Sequence, residues 1–362
     1  MTPGVGVSVM PLENRRGTIV HLATEAERLG YEACFLTETW AHDTTVLLGE
    51  LAVRTRRIAL GSGVLGIWGR SAGTLAMAAA TLDDISGGRF TLGLGASTAQ
   101  LTEGLHDLPF GAPARRMRQV ITQVRALLRG ERIPLGNGNG ARALRLNLPP
   151  APRVAIHVGG LSPETIRLTG ELADGWLPFL YPRSRLGQAV ALLEEGAARS
   201  EAPRDLPRIC PIMPTVVADD PAEARKGAAW FIAFYLTSMG PFYPQTISRL
   251  GFEKEVQAVI AANPARGSAI VPPEAERLLD ELTVYGTPDE ARARLARWQE
   301  AGAELPILLL SPNLTPAQID FALRALRRDG PRPVAAGPTR AGCSPTASDG
   351  REPPAPRRIG TT

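Results

Sequence analysis

Lysine is almost missing from this chain. Of 40 cationic residues only Lys226 and Lys254 are lysines, set against 36 acids. With so much Ala, Gly and Pro, that skew reads as GC-rich coding rather than as a nucleic-acid surface. The positive excess is also local: residues 331–362 hold five Arg against one Asp and one Glu, three of the formal net charge of +4. The rest of the chain is close to neutral, and without a basic stripe no DNA or RNA partner is expected. Cysteine is scarce as well. Cys34, Cys210 and Cys343 are odd in number and far apart, which excludes a disulfide framework and a Cys-x-x-Cys metal site. The four histidines, His21, His42, His106 and His157, show no His-x-x-x-His or His/Cys/Asp spacing, so no metal is expected. No apolar run reaches the ~18 residues of a membrane span. The first ten residues have no basic flank, so no signal peptide is expected, and the reducing cytoplasm is the expected location. No Gly-x-Ser-x-Gly elbow marks a hydrolase nucleophile.

What the chain does have is apolar patterning. Its 362 residues are 44% hydrophobic and 21% charged, enough for a sizeable core in one large or two medium domains. Val5 to Val9 alternates as a strand. Ile19, Leu22, Ala23, Ala26 and Leu29 make one helical face, stopped by Gly30. Further strands are predicted at 33–36, 58–64, 90–94, 154–158, 176–180, 209–217 and 307–310. Helices are predicted at about 44–56, 74–85, 114–128, 163–173 and 316–327. Eight strands separated by helices predict a (β/α)8 TIM barrel over residues 1–330. A doubly wound sheet would want a Gly-x-Gly-x-x-Gly turn after its first strand, and Met10-Pro11-Leu12-Glu13 supplies none. A largely helical insertion is expected at about 218–304, between strands seven and eight, with helices at 221–236, 244–262, 273–282 and 288–301. Residues 331–362, with seven Pro and four Gly, bury too little to offset their ordering entropy and read as a disordered tail.

Barrel active sites gather at the carboxyl ends of the strands. There, strand two delivers Glu38. It could exchange a proton with a reacting group or hold a bound ring by hydrogen bonds; it could equally be a capping or salt-bridging acid. Asp43 reads as the N-cap of the next helix, and His42 as a site base or a solvated loop residue. Strand five ends in Gly159-Gly160, before Ser162-Pro163-Glu164. A serine cap, a proline at the first helical position and freed N–H groups there could wrap a phosphate. The plain reading is a tight turn that needs positive φ. His157, just before it, is a satisfied core histidine or a catalytic one. His21 and His106 read as surface or packing residues. Trp40 and Trp68 follow strand ends, where aromatics wall a planar cofactor or cover a subunit contact.

The runs 30–38, 52–61 and above all 80–97 (Ala80-Thr-Leu-Asp-Asp-Ile-Ser-Gly-Gly-Arg-Phe-Thr-Leu-Gly-Leu-Gly-Ala-Ser97) resemble the bacterial luciferase-like superfamily. Within it they are most similar to the branch that uses the deazaflavin coenzyme F420. The runs 159–163, 170–176 and 286–291 fit the same pattern, so the resemblance spans about 3–328. It implies a barrel that holds a planar cofactor at its mouth and transfers a hydride to or from a small organic substrate, commonly as a homodimer. It implies Glu38 near the reacting ring as the catalytic group. Gly63-Val64 matches a non-proline cis step that props the ring's back face. Ser97 matches a position lining the cofactor pocket, and Gly159 and Gly160 match the turn that contacts the cofactor phosphate. Many relatives carry Asp or Asp-His after strand two; Glu38-Thr39 here weakens a sugar-phosphate dehydrogenase reading. Asp107 stands where Gly is common. The alternatives are an FMN-dependent monooxygenase on the same barrel and a non-catalytic flavin-binding barrel. Segments 132–148 and 218–304 are expected to shape the substrate pocket.

Overall fold

The computed structural model describes residues 4–136, 140–265, 267 and 269–327. The tail expected at 331–362 lies outside the described residues. In chain order the elements are β1 (Gly6–Val9), α1 (Arg16–Arg28), β2 (Ala33–Leu36), α2 (Thr44–Arg54), β3 (Ala59–Ser62), β4 (Leu65–Gly66), α3 (Ala72–Ser86), β5 (Phe90–Gly95), α4 (Ala99–His106), α5 (Pro113–Leu128), β6 (Ala155–Gly159) and α6 (Pro163–Leu172). They continue with β7 (Gly175–Trp176), α7 (Leu186–Ala197), β8 (Arg208–Ile209), β9 (Ile212–Val217), α8 (Pro221–Thr237), α9 (Phe242–Ile247), α10 (Glu253–Ala262), α11 (Glu276–Leu282), β10 (Val284–Gly286), α12 (Pro288–Glu300), β11 (Ile307–Leu310) and α13 (Pro316–Leu326).

Every strand pairing is parallel, in the order β10-β9-β11-β1-β2-β3-β5-β6-β7-β8, with β4 beside β5. The sheet is curled. On one side of the β8–β9 break, Cys210 N donates to Trp176 O and Ile212 N to Pro178 O, both at 2.8 Å; on the other, Ile307 N donates to Pro211 O at 2.8 Å. Helices cover its outer face, α13 on α1, α1 on α2, α2 on α3, α3 on α5, α5 on α6 and α6 on α7.

Alternation sorts the strand residues into two cores. Val7, Val9, Cys34, Leu36, Leu92, Leu94, Ile156 and Val158 join the helices in an outer core. Ala33, Phe35, Leu177, Cys210, Ile212, Ile307 and Leu309 form an inner one. Glycine makes the inner one possible: a Cβ on Gly61 would overlap the Phe35 ring. Filling that space with Phe35 contributes about 1.5–3 kcal/mol of apolar burial. Cys34 and Cys210 are both free and buried, one in each core.

Several expectations change. The seventh strand is broken into β8 and β9 at Cys210-Pro211, because Pro211 has no N–H to give the ladder. The sixth is regular only at Gly175–Trp176; past Pro178 it makes a single bridge, Phe179 to Ile212. The span 218–304 is not helical throughout, since β10 pairs with β9. Its second helix is split into α9 and α10 around Gly251, whose φ is +97°. Helix α12 packs on α13, continuing the outer layer. Segment 132–148 lies partly along the outer side of α5, with Gln123 Nε2 donating to Pro134 O at 2.9 Å.

Candidate active site

The end of β2 carries an ion cluster. Glu38 Oε1 accepts from Arg70 Nη2 at 2.8 Å and from Thr44 N, the first residue of α2, at 3.2 Å; Oε2 accepts from Arg70 Nη1. Arg70 Nη2 also lies 2.9 Å from Asp43 Oδ2. Asp43 Oδ1 caps α2 by accepting from Thr45 N at 2.9 Å and Thr45 Oγ1 at 2.6 Å. Burial pushes the Asp43 carboxyl up, but the Thr45 hydroxyl, Arg70 and the backbone donors outweigh it and hold its pKa below the usual carboxylate range. Both the Glu38 and Arg70 side chains are about one-seventh exposed, 14% and 15%, so the pair is only weakly screened. One guanidinium thus ties the loop after β4 to the loop after β2. Nothing in the sequence around Arg70 marks it as part of this cluster. The usable signal was two carboxylates five positions apart, which together call for a cation.

The second group of residues meets around Val64. The Gly63–Val64 peptide bond is cis. A Cβ on Gly95 would overlap Val64 Cγ2, and one on Gly159 would lie 3.1 Å from Val64 Cγ1. Gly93 and Gly159 in turn lie against Leu177. Two glycines, Gly95 on β5 and Gly159 on β6, therefore clear room for one isopropyl group, which offers an apolar surface at the carboxyl ends of the strands. The structure gathers Gly63, Val64 and Gly159 here. Gly160 follows in the turn before α6. Neither Gly159 nor Gly160 has positive φ; Gly160 is needed because a Cβ would overlap Thr165 Cγ2. Ser162 caps α6 by accepting from Thr165 N at 3.2 Å, and Trp176 Nε1 donates to Gly160 O at 2.8 Å.

Other candidates fall elsewhere. Ser97 is exposed, with φ +59°. His42 is half-buried and its Nε2 lies 3.0 Å from Asn14 O. His21 pairs with Asp320 at 2.8 Å. Trp40 is exposed, while Trp68 donates to Ala96 O at 2.8 Å and packs on Phe110. His157 is buried and stacks on Phe35 at 6.2 Å. It is not a satisfied core histidine, because Nδ1 has no hydrogen-bond partner among the described residues. Burial, opposed by Asp174 and reinforced by Arg208, pulls its pKa down to about 4. A cleft between the ends of β1 and β2 is lined by Val9, Met10, Glu13, Thr37, Thr39 and His42 among others, and not by Val64, Gly159 or Gly160. Among the described residues no cluster of three His, Cys, Asp or Glu suits a metal ion, and no helix is long and apolar enough to cross a membrane.

A curled parallel sheet with a glycine-backed apolar surface and a helix N-terminus at its carboxyl ends is the layout of an α/β enzyme mouth. Comparison with known proteins gives the class. The luciferase-like monooxygenase family is matched over residues 2–305. A Mycobacterium tuberculosis protein named as a coenzyme F420-dependent oxidoreductase is 32% identical over 312 residues, covering 79% of this chain and 89% of the relative. Among solved structures, the coenzyme F420-dependent tetrahydromethanopterin reductase from Methanopyrus kandleri has a TM-score of 0.73 at 21% identity, covering 90% of this chain and 98% of that one. A monooxygenase from Streptomyces bottropensis has a TM-score of 0.67 at 21% identity, covering 90% and 97%. Both structures show the same fold. The chain belongs to the luciferase-like monooxygenase family. It is an enzyme, an oxidoreductase of that family.

Proposed function

We propose that this enzyme is a coenzyme F420-dependent oxidoreductase that transfers a hydride between the deazaflavin and a small organic substrate. The observation that carries the choice of cofactor is the 32% identity to the mycobacterial F420-dependent relative over most of both chains. The residues fit such a group. Val64, seated over Gly95 and Gly159, offers an apolar face broad enough to back a planar ring. The turn Gly159-Gly160 before α6, a ten-residue helix capped by Ser162, offers the positive end that a phosphate requires. When bound, the deazaflavin supplies hydride-carrying chemistry, while the protein supplies binding, orientation and electrostatics. Glu38, held in place by Arg70, acts as the polar group beside the ring and orients it. Ser97 belongs to the pocket's rim.

The finer architecture proposed is the eight-stranded TIM barrel, with β8 and β9 as one barrel strand and α8 to α11 inserted before the last. The proposed partner is a second copy of the chain. Val46 and Val53 on α2 and Met77 and Ile85 on α3 form exposed apolar stripes on two helices that pack side by side, with Val46 70% exposed. Residues 331–362 are proposed as a dispensable tail.

Titration of the purified chain with F420 and with FMN, followed by protein fluorescence, tests this. Preferential F420 binding is expected, with equal affinity for the full chain and a chain ending at Gly330. Micromolar FMN binding without F420 binding overturns the cofactor assignment in favour of a flavin monooxygenase. Weaker binding by the shortened chain overturns the tail assignment.

A further inference from the structure

The inner core does not stop at the ends of the strands. Phe179 stands three residues beyond β7 and bridges Ile212. Its ring packs edge-on against Tyr235 of α8 at 4.7 Å and Tyr243 of α9 at 5.7 Å. The two tyrosine rings meet at 5.3 Å, nearly perpendicular. All three belong to the inner cluster or pack directly on it, as Val64 does. Two residues before Phe179, Leu177 lies against Gly93 and Gly159, and Gly159 carries Val64. Ile212 Cδ1 comes within 3.5 Å of where a Cβ on Gly63 would stand. The aromatic trio is therefore the neighbour of the Val64 surface, supplied from β7's extension and from two helices of the 218–304 segment.

The phenols of Tyr235 and Tyr243 differ from those of Tyr31 and Tyr285 and share with Tyr181 the lack of a hydrogen bond among the described residues. Tyr31 donates to Leu323 O, and Tyr285 donates to Glu276. The hydroxyls of Tyr235 and Tyr243 make no hydrogen bond within the described residues. Yet Tyr235 is only 4% exposed. Neither phenol oxygen is among the fully enclosed polar atoms that lack a partner, so each is open to an acceptor from outside the chain. Burial raises the pKa of both phenols, so both remain donors throughout the ordinary pH range. The further rings packed on them, Phe234 on Tyr235 and Phe242 on Tyr243, are apolar.

We propose that Phe179, Tyr235 and Tyr243 form the substrate-binding wall, and that the substrate is an uncharged ring compound whose carbonyl or hydroxyl oxygen accepts from the two phenols. This rests on the oxidoreductase reading of the Val64 mouth. The aromatic faces supply contact area, and the phenols select for one oxygen on an otherwise apolar body. A sugar phosphate would ask for charged donors, which three neutral aromatic side chains do not supply.

The test is calorimetric titration of the full chain, alone and with F420 or FMN present, using 2-tetralone, its hydrocarbon tetralin and glucose 6-phosphate as probes. Expected is 2-tetralone binding about ten-fold tighter than tetralin, the worth of roughly one hydrogen bond, and no binding of glucose 6-phosphate. Tyr235→Phe and Tyr243→Phe keep the rings, so together they should erase the preference for 2-tetralone and leave tetralin binding as it was. The wild-type comparison of the two probes needs no variant to fold. Failure of 2-tetralone to bind in any form, binding of glucose 6-phosphate instead, or an unchanged preference in the double variant overturns the proposal. If F420 does not bind but the 2-tetralone preference depends on the two hydroxyls, the cofactor reading falls and the wall stands.

Discussion

Glu38 accepts from Arg70 at both oxygens and from Thr44 N at one of them. Its expected part is that of a positioning group that holds Arg70 and the start of α2. Glu38→Gln should cost about 1–3 kcal/mol of stability and weaken cofactor binding about ten-fold, with turnover at saturating cofactor less affected. Arg70→Met should cost more stability, about 3 kcal/mol, because it leaves Glu38 and Asp43 without their cation; Arg70→Lys, unable to bridge both acids in a planar fork, should recover only part. Thermal melting and cofactor titration read these out. A ~10²–10⁴ loss of turnover in Glu38→Gln at unchanged affinity would instead make Glu38 a proton-transfer group. His157 gives a pH prediction. Its pKa falls from 6.5 to about 4 on folding, so between those values the unfolded chain binds a proton that the folded one refuses. Stability should therefore decline as pH drops from 6.5 toward 4, by about 3 kcal/mol in all, and level off below. His157→Gln should lack this slope in denaturant melts run across that range.

Between elements, Arg89 does the joining. It opens the strand run of the motif 80–97, and its guanidinium donates to Ile58 O at 2.7 Å, Ala52 O at 2.9 Å, Thr55 O at 3.1 Å and Thr55 Oγ1 at 3.0 Å, while Nε donates to Ser86 O at 2.7 Å. The end of α2, the start of β3 and the end of α3 are held by one side chain. Arg89→Met should lower stability by about 2–4 kcal/mol, since it strips several buried carbonyls of their donor, and cofactor affinity should fall only as far as folding does. Melting curves and titration together check this. The same scale shows what could be read beforehand. Strands with clean alternation, such as β1 and β5, and the short apolar run of β2 were legible from residues alone. The three-residue β10 was too short to show a period, and α4 lies in a polar stretch without an apolar stripe. Gly159 and Gly160 were found as residues but for another reason, since close approach of Val64 and Thr165, not φ, requires them. Arg70 stayed hidden because its partner Glu38 is 32 positions away, a distance that only the parallel sheet closes. The substrate wall drew on α8, α9 and Phe179, whose meeting depends on how the 218–304 segment folds back.

For the whole molecule, the exposed stripes of Val46, Val53, Met77 and Ile85 set an expectation about assembly. A chain carrying Val46→Glu and Met77→Glu should sediment as a monomer where the natural chain sediments as a dimer. Its melting should change little, because surface positions are usually within about 0.5 kcal/mol. A natural chain that sediments as a monomer would remove the dimer from the account. The two cores also make the protein readable by thiol chemistry. Cys34 sits between sheet and helices and Cys210 inside the sheet. Burial pushes the Cys34 thiol up to about 12 and raises that of Cys210 too, so neither is a thiolate able to attack a disulfide reagent. In a chain with Cys343→Ser, modification must wait for the fold to open, and each sulfur marks a different compartment. If the helices peel from the sheet first, Cys34 is labelled before Cys210. If the molecule opens all at once, the two sulfurs react on a single clock.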